Sequence, residues 1–265
     1  LQTEVKRIDV EGATCTGITL ENGRQLLSDV TVFNGDPRAL ANGALGAAVR
    51  PVAPQTVKAG RSLSARVWSF SATVARDPGL THHNVFFGAD PKSEFDDLDA
   101  GRLPSDPTIY VCAEDRGSTA DPPTGAERFE LILNAAPLTR GTDDEEEVQR
   151  CRQVTFQTLA QFGLTLDKMP EDRALTTPTG FEELFPASAG SLYGQSPHGM
   201  TASLPRPRAR TNLRGLYLAG GGTHPGAGVP MAALSGQHAA AAILKDRALT
   251  SRSGQTATRG GILTE

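Results

Sequence analysis

Residues Gly215–Leu244 read GLYLAGGGTHPGAGVPMAALSGQHAAAAIL, and the reading of this stretch decides the fold. Leu216-Tyr217-Leu218-Ala219 is a short apolar run closed by Gly220-Gly221-Gly222, the pattern of a buried strand. From Val229 the character changes. Pro230 suits a first helical turn, and Met231 to Leu244 are helix formers apart from Ser235-Gly236. Strand, glycine-rich loop and helix together aim backbone N–H groups and the positive end of a helix dipole at one point, which suits an anionic or electron-rich cofactor. Small residues on several helix faces, Ala232, Ala233, Gly236, Ala239, Ala240 and Ala241, predict a buried helix. Two other readings compete. The stretch can be a tight packing corner, or a nicotinamide-type fingerprint in which Gly226-Ala227-Gly228 is the first half and Asp246 the later acid. The long loop, and a polar tail where a second strand should follow, argue against the fingerprint.

GLYLAGGGTHPGAGVPMAALSGQHAA resembles the C-terminal flavin motif of the bacterial carotenoid (phytoene) desaturases, a family of FAD-dependent oxidoreductases within the amine-oxidase-like superfamily. Val229-Pro230-Met231 and Ser235-Gly236 look most like the branch acting on hydroxy- or methoxycarotenoids, the methoxyneurosporene dehydrogenases and hydroxycarotenoid 3,4-desaturases. HHNVFFGADPKSEFDDL, DPTIYVCAEDRG and ERFELILNAAP also resemble family segments, in the family's order. The resemblance implies FAD as cofactor, held by Gly220, Gly221, Gly222, Thr223, His224, Gly226, Gly228, Val229, Pro230 and Met231. It implies a hydrophobic carotenoid substrate that gives hydride to the flavin and gains a carbon–carbon double bond. The superfamily commonly has Glu or Asp where Gly221 stands, so backbone contacts must serve here. Family members begin with a Gly-x-Gly-x-x-Gly loop, and none occurs ahead of the first strand, so the chain is expected to be the C-terminal part of a longer enzyme.

The implied fold is α/β (α+β): a partial Rossmann-like FAD-binding domain with a β-meander, plus an inserted antiparallel-sheet substrate domain. The expected divisions are 1–47 and 206–248 for the FAD-binding segments, 48–205 for the substrate domain and 249–265 for a disordered tail.

Composition is that of an ordinary globular chain: 265 residues, 38% apolar and 21% charged. A net charge of −4 gives no nucleic-acid footprint. Cys15, Cys112 and Cys151 are odd in number and share no ligand spacing, which favours a reduced compartment over a disulfide framework or zinc site. No apolar run reaches membrane-spanning length, so the expectation is a cytoplasmic protein whose membrane contact is peripheral, at the inner membrane.

Along the chain, Glu4 to Val10 and Thr16 to Leu20 read as strands, with Asn22-Gly23 a hairpin signal before Gln25. Asp29 to Phe33 makes a further strand, ended by the turn residues Asn34-Gly35-Asp36-Pro37. Strands are predicted at Ser64 to Val74, His82 to Phe87, Thr108 to Ala113 and Phe129 to Asn134, one apolar face lining a cleft with Val67 or its neighbours Trp68 and Phe70. Trp68 and Phe70 are the candidate substrate residues. Thr142 with Glu145 reads as a capping box, so the acidic run 143–147 is a helix start and not a metal site. Val148, Cys151, Thr155, Leu159 and Phe162 share the face of that helix, ended by Gly163. A short helix is expected at Phe181 to Phe185. Arg206, Arg208, Arg210 and Arg214 crowd one segment, where a phosphate or anionic-lipid contact competes with the favoured reading of a solvated loop held extended by Pro205 and Pro207.

No residue pair announces nucleophilic or hydrolytic catalysis. Adjacent strand residues face opposite ways, so His82 and His83 are not expected to form a site together. The lack of a catalytic signature suits flavin chemistry, in which the cofactor carries the hard step. The alternatives are a non-catalytic module that holds an apolar ligand and another amine-oxidase-like flavoprotein oxidase.

Overall fold

The computed structural model describes residues 3–117, 123–196 and 206–257, with the side chains of 250–257 left undescribed. The chain forms two compact units, one from residues 1–60 and 193–265 and the other from 61–192. The inserted unit is thus narrower than the 48–205 expected.

The first unit opens with the meander. β1 (Val5–Glu11) and β2 (Thr14–Leu20) pair antiparallel, and Asn22-Gly23 turns the chain into β3 (Gln25–Leu27). β4 (Thr31–Phe33) is shorter than the run from Asp29 suggests. The proline that ends it begins a helix: the Asp36 carboxylate accepts from the Arg38 N–H, and Pro37 occupies the first turn of α1 (Pro37–Asn42). A turn of 3₁₀ helix and the short α2 (Gln55–Lys58) follow.

The second unit is built on an antiparallel sheet. β5 (Ser64–Ala72) continues into β6 (Val74–Arg76), then come β7 (His83–Phe86), α3 (Pro91–Asp99), β8 (Ile109–Ala113) and β9 (Glu127–Ala135). α4 (Glu145–Gln161) is followed by β10 (Thr165–Leu166), which pairs with β6, and β11 (Leu175–Thr176), which pairs with β5. α5 (Pro178–Leu184) covers the short helix expected near Phe181. The five-stranded sheet runs β11-β5-β9-β8-β7. Register aligns Trp68 with Leu131 and Leu131 with Val111, so one face carries a continuous apolar row, against which Phe156 and Leu159 of α4 pack.

α4 starts two residues later than the capping box suggests: the Asp144 side chain, not Thr142, accepts from the Glu147 N–H. Asp143 and Glu147 are thereby free to take Arg66 of β5, a buried charge group that fixes the helix start to the sheet. Cys151, Thr155 and Leu159 are buried as expected, whereas Phe162, which caps the helix, is 45% exposed and rests against Phe86 of β7. Arg116 forks onto Glu127 with two bonds of 2.7 Å and reaches Asp77 at 2.6 Å, linking two loops to β9.

The chain returns to the first unit as β12 (Leu216–Leu218), parallel to β4, with Leu216 opposite Thr31 and Leu218 opposite Phe33. The two strands are thus neighbours across the insertion. α6 then runs Val229–Ala257, past the point where a loose tail was expected; residues 258–265 lie outside the described residues. Nor is it a buried helix. Of the described positions on it only Ser235 and Ala239 are fully buried, because the sheet beneath it has two short strands and alanines present little surface to cover.

Candidate functional site

The glycine loop divides by what each residue faces. A Cβ on Gly220 would lie 2.4 Å from Asn34 Oδ1, and one on Gly222 would lie 2.6 Å from Pro37 Cδ. These two glycines let the loop press on the turn that follows β4. Thr223 is buried, its hydroxyl donating to the Ala219 carbonyl at 3.4 Å and its N–H to Gly220 at 3.1 Å. Beyond it the loop opens. Gly228 has φ +101°, which favours glycine, yet a Cβ there would meet nothing within 4 Å. Val229 is 85% exposed, and Pro230 and Met231 are exposed beside it.

Two side chains hold this loop in place. Ser235 of α6, fully buried, accepts from the Gly220 N–H at 2.7 Å and donates to the Ala232 carbonyl at 2.6 Å. Arg206, only 5% exposed, donates to the Gly221 carbonyl at 2.7 Å and to the Gln195 carbonyl at 2.8 Å. The solvated segment expected at 206–214 is corrected here: Arg208, Arg210 and Arg214 are exposed, but Arg206 turns inward because the loop carbonyls offer it acceptors. His224 donates its N–H to Pro207 and stacks its ring 6.2 Å from His238 of α6. Asp246 lies on α6 itself, accepting from Arg210 and the Tyr217 hydroxyl. The Arg210 guanidinium holds the Asp246 carboxyl below its ordinary range, while burial and Asp246 raise Tyr217. In a nicotinamide fingerprint the acid is left to bind the ribose, whereas here Asp246 is taken by Arg210 and Tyr217.

In the second unit, Trp68 does not line an open surface. It is 0% exposed and packs edge-on to Phe156, with ring centroids 5.4 Å apart. Phe70 is on the same sheet face, half-buried between Phe129 and Phe156, and borders a pocket of about 330 Å³. A larger cavity of about 900 Å³ runs along α4, floored by Phe156, Leu164, Leu166 and Met169. The opposite sheet face carries Val67, which strand alternation separates from Trp68. Register continues its row through Ile132 and Tyr110 to Val85 across four strands.

One residue pair further along, that face turns polar, with His83 opposite Cys112 and Cys112 opposite Glu130. His82 joins them. It precedes β7, so strand alternation does not govern it, and the two imidazoles lie 4.3 Å apart, contrary to the sequence reading.

The family profile of flavin containing amine oxidoreductases matches residues 1–244. The chain belongs to this family. It is 56% identical over 248 residues to a hydroxyneurosporene desaturase of Cereibacter sphaeroides, covering 94% of this chain and 49% of that one. A hydroxyneurosporene desaturase of Rubrivivax gelatinosus is 42% identical over 98% of this chain and 50% of its own. A 1-hydroxycarotenoid 3,4-desaturase of Flavobacterium is 28% identical over 87% and 47%. An oxidoreductase structure from Methanosarcina mazei overlaps 88% of this chain and 47% of its own, with a TM-score of 0.46 and 15% identity. The chain therefore spans about half the length of the curated relatives it matches. Among the described residues no helix is long and apolar enough to cross a membrane.

Proposed function

We propose that the whole protein is an FAD-dependent desaturase of hydroxylated carotenoids. The observation that carries this is 56% identity to a hydroxyneurosporene desaturase over 94% of the chain. The glycine loop fits the flavin in its own terms. Space stands open in front of Gly228, beside the first turn of α6, where the Val229 and Met231 N–H groups have no i−4 acceptor within the helix. Bound there, FAD would supply the acceptor for a hydride leaving a substrate carbon.

The chain's own residues divide the remaining work. Gly228, Val229, Pro230 and Met231 form the surface offered to the cofactor, with buried Gly226 resting on Arg206 behind them, and the α6 dipole favours negative charge against that surface. Gly220, Gly221, Gly222, Thr223 and His224 set the height of that surface through Asn34, Pro37 and Arg206. In the second unit, the Val67, Ile132 and Val85 row is the apolar surface available to a polyene, in place of Trp68. A carotenoid resides in lipid, so the reading includes peripheral contact with the inner membrane from the cytoplasmic side.

The test is reconstitution of the whole protein with FAD and a 1-hydroxycarotenoid in liposomes. A red-shifted product with one more conjugated double bond is expected. Gly228→Val should remove bound flavin while far-UV circular dichroism stays unchanged, since a β-branched residue disfavours φ +101° and fills the open space. Stoichiometric flavin on a folded Gly228→Val protein would make the loop a packing corner. Flavin retained without product from any hydroxycarotenoid would leave the apolar-ligand module as the better reading.

A further inference from the structure

We propose that His82, His83 and Cys112 form a binding site for a borderline-soft divalent metal ion of the zinc class. One ligand atom from each residue lies within 4.8 Å of the others. His82 Nε2 stands 3.7 Å from Cys112 Sγ. Tetrahedral zinc, with Zn–S of about 2.3 Å and Zn–N of about 2.0 Å, separates a sulfur and a nitrogen ligand by about 3.5 Å. The pair already stands close to that spacing.

The surroundings hold the ligands as a metal site requires. The His82 Nδ1–H donates to the Arg116 carbonyl at 2.9 Å, which leaves the lone pair on Nε2, the nitrogen that faces Cys112. Arg116 is itself fixed by its fork onto Glu127, so the carbonyl that orients the ring stands on a rigid base. On the other side His83 Nδ1 meets the Tyr110 hydroxyl at 2.7 Å. The cluster spans the loop into β7, the edge strand β7 itself and its neighbour β8, so an ion there would clasp the sheet edge. Glu130, opposite Cys112, adds negative charge beside it. His83 is exposed, which gives the ion a path in from solvent and a fourth position for water. Binding displaces the Cys112 thiol proton to solvent and forms the metal–thiolate bond, with no change of oxidation state.

Zinc titration of the purified protein against a chromophoric chelator, and cobalt(II) substitution, test the site. One ion per chain is expected, and the cobalt form should show a thiolate-to-metal charge-transfer band. Cys112→Ser should abolish that band, and both Cys112→Ser and His83→Gln should weaken zinc at least about 10-fold. His83 is exposed, so His83→Gln should keep the fold even if the buried serine variant does not. Zinc held equally well by folded His83→Gln, a cobalt complex without the thiolate band, or no binding beyond weak surface sites would each overturn the proposal.

Discussion

Gly222 lies outside the left-handed backbone region, so its need for glycine comes from space alone: a Cβ would stand 2.6 Å from the Pro37 ring. The ring cannot swing away, because Pro37 is fixed in the first turn of α1. Gly222→Ala is therefore expected to destabilise the protein by about 1–3 kcal/mol, the usual cost of overpacking. Pro37→Ala in the same chain should recover part of this, since it removes the atom that clashes. Urea unfolding of the two single variants and the double variant measures the coupling, and strict additivity would show that the loop does not rest on Pro37. At this scale the sequence was legible in kind but not in address. Three consecutive glycines announce a close approach; that Gly220 and Gly222 approach Asn34 and Pro37, while Gly228 faces open space, depends on residues nearly two hundred positions away. Arg206 was hidden for the same reason, because its acceptors are carbonyls that only the folded loop presents. His82 was hidden by a boundary: one residue outside β7, it escapes the alternation that would have turned it from His83.

Elements were easier to read than their partners. Alternation located the main strands to within a few residues, and the Asn22-Gly23 signal marked the hairpin, because both are local consequences of backbone geometry. α3 was missed because its apolar residues are few, and it is held instead by buried Glu94, which accepts from the Thr108 N–H and Asn134. Charge also ties the loops around β8 and β9, through Asp77, Arg116 and Glu127. Burial alone would raise the Asp77 carboxyl, but the Leu80 and Gly79 N–H groups and Arg116 outweigh it and hold the group below its ordinary value of 3.8. Because the folded value is the lower one, the stabilisation is present above the unfolded value and is lost as pH falls through the folded one. Stability should thus decline below about pH 4 less steeply in Asp77→Asn than in the parent protein, although the variant is less stable at neutral pH. Denaturant unfolding at a series of pH values reads this directly. Parallel acid limbs would mean that Asp77 is equally ionised in both states.

At the scale of the whole chain, the two units differ in how they are closed. The first is assembled from two distant segments that meet in the parallel pair of β4 and β12, so neither segment completes its sheet alone. The second is one uninterrupted stretch, Arg61–Leu192, with its own sheet, covering helix and core around Trp68, Leu131 and Leu159. Its ends already lie together: the Leu192 N–H donates to the Leu63 carbonyl at 3.2 Å, and the Arg61 guanidinium donates to the Ser188 carbonyl at 3.0 Å. Cutting the chain outside these bonds removes no strand from the five-stranded sheet and opens no loop within it. The excised segment 61–192 is within the size range at which a single core sustains a domain. It should therefore be soluble and unfold in one cooperative transition, with near-ultraviolet circular dichroism from Trp68 reporting the packed core. It should also bind zinc as the parent does, since His82, His83, Cys112 and the Arg116 carbonyl all lie inside it. Flavin, by contrast, should not bind to it, because every glycine of the loop lies in the other unit. A segment that shows helix and strand in the far ultraviolet but no tryptophan signal and no cooperative transition would mean that its core closes only in the context of the full chain.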